Sequence, residues 1–186
     1  MPESEHSSLT PGWEYFHRAR RGDDRAWRVL IKEHRARLGA LALLITGSDA
    51  AADDVVQETF IRALRADIGH HQGTVGGYLG TIAYRLAVKE TERSRRNVKL
   101  DGQDPQDHRQ NALERILADE RDRLVVEVIR ALSAEHRDVL VLRFYGSHSY
   151  EEIAELVRAP LGTVKSRIFY AVKSCRQMLR QKGILE

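Results

Sequence analysis

Near the C-terminal end of the 186-residue chain, Ser166, Phe169, Tyr170, Lys173, Arg176 and Arg180 recur so that a helix puts them on one side, with Lys165 at the edge. Lysine and arginine neutralise phosphates, while Ser, Tyr and Phe meet base edges and thymine methyls in a major groove. A Phe-Tyr pair is out of place on a face that only needs solvation, although a helical hairpin with a charged outer side gives the same pattern. A second array, Tyr78, Arg85, Lys89 and Arg96, shares nearly one azimuth of another helix. An aromatic followed by cations suits single-stranded nucleic acid, by stacking and by charge. The bland counterpart is a basic helix edge with its stems laid along apolar surface. A third row, Asp54, Glu58 and Arg62, steps i, i+4 and on spacing alone is surface salt bridging.

Other chemistries find little support. His70 and His71 are adjacent, but no further ligand follows at i+3 or i+4, so a metal site is not expected. The single cysteine, Cys175, excludes an intramolecular disulfide, fits a reducing cytosol and falls on an apolar helix face as a small hydrophobe. No catalytic constellation, phosphate-cradling Gly loop or cofactor motif appears.

The elements that must position these residues are helical throughout, so the fold class is all-α. Ser149 and Glu152 form a capping box that starts a short helix. Pro160 then opens a second one, whose apolar face is Val164, Ile168, Ala171, Val172, Cys175 and Leu179. Upstream, a helix over 13–21 stops at Gly22. Asp23 or Asp24 caps a long helix that Gly47 ends, and another begins at Asp49 or Ala50 with Val55, Val56, Phe60 and Leu64 inward. A loop over 66–76 leads to a helix over 77–96. Periodicity then lapses until Ala112. The expected division is a disordered tail at 1–12, a helical domain at 13–97, a flexible linker at 98–111 and a second helical domain with a helix-turn-helix at 112–186.

The composition, 42% hydrophobic and 31% charged, is that of a soluble protein, and the longest apolar run, 38–45, is too short to cross a bilayer. The N-terminus is acidic and Ser-rich, unlike a signal peptide. Net charge is only +3 at pH 7, but basic residues gather at 84–99 and from Lys165 onward, with acids between Asp101 and Asp122. Two basic blocks around an acidic connector suit two contacts with one polyanion.

Two stretches, Asp53-Asp54-Val55-Val56-Gln57-Glu58-Thr59-Phe60-Ile61-Arg62-Ala63-Leu64 and Tyr78-Leu79-Gly80-Thr81-Ile82-Ala83-Tyr84-Arg85-Leu86-Ala87, resemble region 2 of bacterial RNA polymerase sigma factors. Leu132 to Leu140, Ser149 to Ala154 and Pro160 to Arg167 resemble region 4. With no region 3 between them, the layout is similar to the extracytoplasmic-function (ECF) subfamily. The resemblance implies a transcription initiation factor, not an enzyme, working in the cytoplasm with core polymerase, promoter DNA and an anti-sigma factor as partners. Asp53, Asp54, Gln57, Glu58 and Arg62 would dock on the β′ clamp helices, and the β subunit would be a further contact. The loop with His70, His71 and Gln72 would cradle a flipped minus-ten base, while Tyr78, Arg85 and Lys89 hold the melted strand. Lys165, Ser166, Phe169 and Tyr170 would enter the minus-thirty-five major groove, with Arg143, Arg167 and Lys173 nearer phosphates.

The chain departs from the family pattern at Tyr78, where many members have Trp, at Tyr170, where Arg or His is common, and at Arg158, in a turn position that is usually Gly. If the turn keeps its family geometry, Arg158 has positive φ. The alternative reading is a stand-alone helix-turn-helix regulator with an unrelated helical N-terminal domain.

Overall fold

The computed structural model describes residues 11–66, 73–101 and 120–185, all as helices and short connections. The linker expectation falls largely outside these residues, as do His70, His71 and Gln72. The first unit holds α1 (Pro11–Arg20), α2 (Asp24–Thr46), α3 (Asp49–Arg65) and α4 (Val75–Asp101). The second holds α5 (Glu120–Ala131), α6 (Ala134–Phe144), α7 (Tyr150–Leu156) and α8 (Leu161–Gln181).

Helix boundaries follow local chemistry. The Asp23 carboxylate accepts from the amides of Arg25 and Ala26 at the start of α2, and Gly47 closes that helix at φ 74°. A residue with a Cβ is strained at that angle, which is why glycine stands there. Ser48 caps α3 through the Ala51 amide. In α7 both bonds of the capping box form, Glu152 N–H to Ser149 Oγ at 3.1 Å and Ser149 N–H to Glu152 Oε2 at 2.7 Å. Several boundaries differ from expectation: α1 starts at Pro11, inside the expected tail at 1–12, and α4 starts at Val75, inside the expected loop. Pro160 is the residue before α8 rather than its first, and α4 runs to Asp101, past the expected end near 97. Thr91 bonds the Ala87 carbonyl within this long helix and also reaches Ile45 O at 3.3 Å.

In the first unit α2 packs on α1, α3 and α4; in the second, α8 packs on α5, α6 and α7. The two cores then merge, because α2 also packs on α5 and α6. The junction is made possible by the start of α4, where Gly76, Gly77 and Gly80 leave bare backbone facing the turn Gly146-Ser147-His148. A Cβ on Gly80 would run into the Gly146 carbonyl and would stand 2.9 Å from the His148 ring. Polar groups fix the register. Tyr84 Oη donates to Asp138 Oδ2 at 2.9 Å, Thr81 Oγ1 lies 2.9 Å from His148 Nε2, and Arg37 Nη2 donates to Phe144 O at 3.1 Å. His148 is 1% exposed, and its Nδ1 faces Leu142 O at 3.3 Å.

Two outcomes follow from this junction. Gly80→Ala should cost about 1–2 kcal/mol in urea unfolding although helix propensity alone favours Ala, whereas Gly162→Ala, with nothing within 4 Å of its Cβ, should gain up to about 1 kcal/mol. Equal effects at the two positions would show that α4 and the turn do not meet.

Burial holds the His148 imidazole below its ordinary range, against smaller opposing pulls from the Leu142 carbonyl and then the Glu152 carboxylate. The unfolded chain therefore takes up this proton first. The stabilisation from neutral His148 is complete above about pH 6.5 and lost as pH falls through the lower folded-state value. His34, also depressed chiefly by burial, adds in the same direction. In urea unfolding between pH 7.5 and 5, the wild type should lose stability more steeply than His148→Gln; parallel profiles would remove His148 from the linkage.

Candidate nucleic-acid interface

Helix α8 is anchored by Val164, Ile168 and Ala171, all buried against the rest of the second unit. That anchoring turns Lys165, Ser166, Phe169, Tyr170 and Lys173 outward. Phe169 is 63% exposed and Tyr170 54%, with ring centroids 5.4 Å apart in an edge-to-face pair. Exposing two such rings gives up burial worth roughly 1.5–3 kcal/mol for a large apolar side chain. Ser166 Oγ donates to Thr163 O at 2.9 Å, so its hydroxyl keeps only acceptor capacity for a ligand. Lys165, Phe169, Lys173 and Arg176 line a groove with Phe144 and Tyr150. Phe144, 54% exposed, was not singled out from sequence; its place at the end of α6, just before the Gly146 turn, was the available signal.

The expected phosphate contacts divide. Lys173 is exposed. Arg143 stands 5.1 Å over the Tyr150 ring and donates to His148 O at 2.9 Å, tying the end of α6 to the start of α7. Arg167 is turned away from the exposed ring pair: its Nη2 pairs with Glu135 at 2.9 Å and its side chain is only 23% exposed. Arg167 also lines the same cleft as the half-buried Asp138, on which Tyr84, Arg137 and Arg95 act more strongly.

On the first unit, Arg85, Lys89 and Arg96 are exposed along α4, but Tyr78 is not the open platform expected from sequence. Its ring packs 5.7 Å from both Trp13 and Phe16, and burial raises its phenol above the usual range. The cause is α1, whose Trp13 donates to Gly73 O at 2.9 Å and closes over the start of α4. Asp53, Asp54 and Gln57 are exposed on α3, and Arg62 Nε bonds Glu58 Oε1 at 2.6 Å. Asp54, Glu58 and Arg62 line a groove shared with Lys89, Glu90 and Arg93, so Lys89 stands between the two sets that sequence had kept apart.

Residues 30–97 match the family Sigma-70 region 2, and residues 128–177 match Sigma-70, region 4. The chain is 35% identical over 160 residues to the ECF RNA polymerase sigma factor SigL of Mycobacterium tuberculosis, a match covering 84% of this chain and 90% of that protein. It is an ECF sigma factor. The RNA polymerase sigma-H factor of Pseudomonas aeruginosa is 33% identical over 178 residues, covering 88% and 91% of the two chains. Two solved structures share the fold. CnrH in complex with the cytosolic domain of CnrY aligns at TM-score 0.60 over 90% of this chain and 96% of that one, with 23% identity. The sigma factor RpoE bound to the anti-sigma factor NepR from Bartonella quintana aligns at 0.61 over 83% and 96%, with 20% identity.

In this sigma factor Arg158, the turn residue between α7 and α8, has φ 52°, the left-handed region foreseen from its position. A side chain with a Cβ is strained there by about 1 kcal/mol. Arg158→Gly should therefore raise stability by a few tenths to about 1 kcal/mol, the gain trimmed by glycine's greater freedom when unfolded. A thermal melt of the full chain decides it. A lower melting temperature would mean that the arginine side chain contributes more to the folded chain than the strain removes.

Proposed function

We propose that this sigma factor docks on the β′ clamp helices of core polymerase through Asp53, Asp54, Gln57, Glu58 and Arg62. It reads the minus-thirty-five element with Lys165, Ser166, Phe169 and Tyr170, with Lys173 toward phosphates, and it holds melted minus-ten DNA with Arg85 and Lys89. Arg143 is exposed and keeps N–H donors beyond the one given to His148 O, so it can meet a phosphate in place, whereas Arg167, paired with Glu135, has to turn outward to do so. Tyr78 reaches a strand only by its partly exposed edge, or after α1 moves. His70, His71 and Gln72 keep the role of flipped-base contacts, and the part of 98–111 that follows α4 keeps that of a linker. The factor works in the cytoplasm and does no bond chemistry itself; polymerase supplies that. The observation that carries this reading is the exposed Phe169–Tyr170 pair on a helix whose opposite face is anchored by the buried Val164, Ile168 and Ala171, within a family match spanning both regions.

Core binding separates this reading from a stand-alone helix-turn-helix regulator. Asp54→Lys together with Glu58→Lys should abolish association with core polymerase while leaving helical circular dichroism intact, because exposed pairs such as Glu58–Arg62 contribute under about 1 kcal/mol. Unchanged affinity for core would reject the docking face. Lost helical signal would show that the row is structural.

A further inference from the structure

On α2, Arg25, Arg28, Lys32 and Arg35 are all exposed and lie within one narrow arc, with Arg21 extending the row from the preceding turn. Spacings of three and four put each cation next to another cation, an arrangement that weakens a helix where alternating charge would strengthen it. Arg25 also stands in the first turn of α2, where the helix dipole disfavours positive charge. No carboxylate among the described residues relieves the row. Asp23 is taken by Arg18 at 2.7 Å, Asp24 is not within ion-pair distance of Arg28 four residues on, and Glu33 faces away from the arc. Further along α2 the same azimuth is occupied by Gly39 and Leu43, both buried, so the row ends where the fold closes over the helix.

A like-charged row kept against these costs needs a polyanion. From Arg25 to Arg35 α2 rises about 15 Å, over which a DNA duplex presents about nine phosphate charges. Three of these four cations are arginine, whose planar fork matches phosphate. No aromatic is interleaved to stack on unpaired bases, since Trp27 is half-buried with its ring 5.3 Å from Phe60. Nor does an exposed apolar stripe run beside the row to enter a lipid interface. We infer that Arg25, Arg28, Lys32 and Arg35 form an additional, sequence-independent contact with the phosphate backbone of duplex DNA, separate from the two promoter-reading faces. This rests on the proposal that the chain acts on promoter DNA within polymerase holoenzyme.

The test uses holoenzyme made from core polymerase and the full chain, binding a labelled promoter duplex across a potassium chloride series. Two variants are compared with wild type: Arg25→Gln/Arg28→Gln/Lys32→Gln/Arg35→Gln, and Arg25→Lys/Arg28→Lys/Arg35→Lys. The glutamine variant should keep core affinity and start-site choice, while the slope of log K against log salt becomes shallower by about 3 to 4. The lysine variant should keep the wild-type slope. An unchanged slope in the glutamine variant overturns the inference. So does an equal loss in both variants, which would place the effect outside charge. Binding of wild type but not the glutamine variant to phosphatidylglycerol vesicles, with DNA slopes unchanged, overturns it in favour of a lipid surface. If the wild-type chain fails to bind core, the promoter-factor reading falls, and the row is judged by the same salt series with free chain and a mixed-sequence duplex.

Discussion

Side chains normally keep a helix axis 8–10 Å from its neighbour. At Gly76, Gly77 and Gly80 α4 has none, and the turn Gly146-Ser147-His148 comes down onto bare backbone. Three glycines in the opening turns of a helix cost roughly 1 kcal/mol each in propensity. The cost is offset at Gly80, where a Cβ would run into the Gly146 carbonyl, whereas at Gly77 one would meet only ordinary contacts. Once the turn is seated, Thr81 and Tyr84 meet His148 and Asp138, and α2 can pack on α5 and α6. The relative placement of the two units follows from this contact.

The same junction is polar where a purely adhesive one would be apolar. Burial raises the Asp138 carboxyl above its usual range, and the hydrogen bond from Tyr84 opposes that shift only in part. Desolvating a carboxylate and an imidazole at one contact lowers its net strength while leaving a single register in which all partners are met. Junctions of this character favour one docking geometry and still permit separation. For a sigma factor with two DNA-reading faces, the consequence is local. In the docked form Thr81 and Tyr84 of α4 are occupied by the second unit, whereas Arg85 and Lys89 remain exposed. The charge of Arg85 and Lys89 is open to solvent while the units are docked.

What sequence disclosed was what depends on neighbours a few residues away. The capping box at Ser149, the Asp23 cap, the Gly47 stop and the left-handed Arg158 are set by hydrogen bonds and backbone sterics within one turn. The outward face of α8 was legible because a 3.6-residue period places Val164, Ile168 and Ala171 opposite Phe169 and Tyr170. The misreadings share a different cause. Tyr78 is covered by Trp13 and Phe16, over sixty residues upstream, and Arg167 is drawn to Glu135 on another helix. Azimuth alone cannot show which exposed-looking side chain another element will cover. The glycines of α4 were visible as letters, but their purpose lies in a turn about seventy residues away.

Chemistry on α8 limits what the second unit can read in the proposed major-groove pose. Ser166 has given its hydrogen to Thr163 O, leaving lone pairs for the amino groups of adenine or cytosine. Lys165 offers only donors, which suits the acceptors of guanine. The ring faces and edges of Phe169 and Tyr170 suit thymine methyls, and the Tyr170 hydroxyl adds a group that can donate or accept. With no arginine among the four, the planar guanidinium fork is missing from these positions, and guanine O6 and N7 are left to the single ammonium of Lys165. Discrimination therefore depends on apolar fit and single hydrogen bonds, and the edge-to-face packing of the two rings has to hold them in place before DNA arrives.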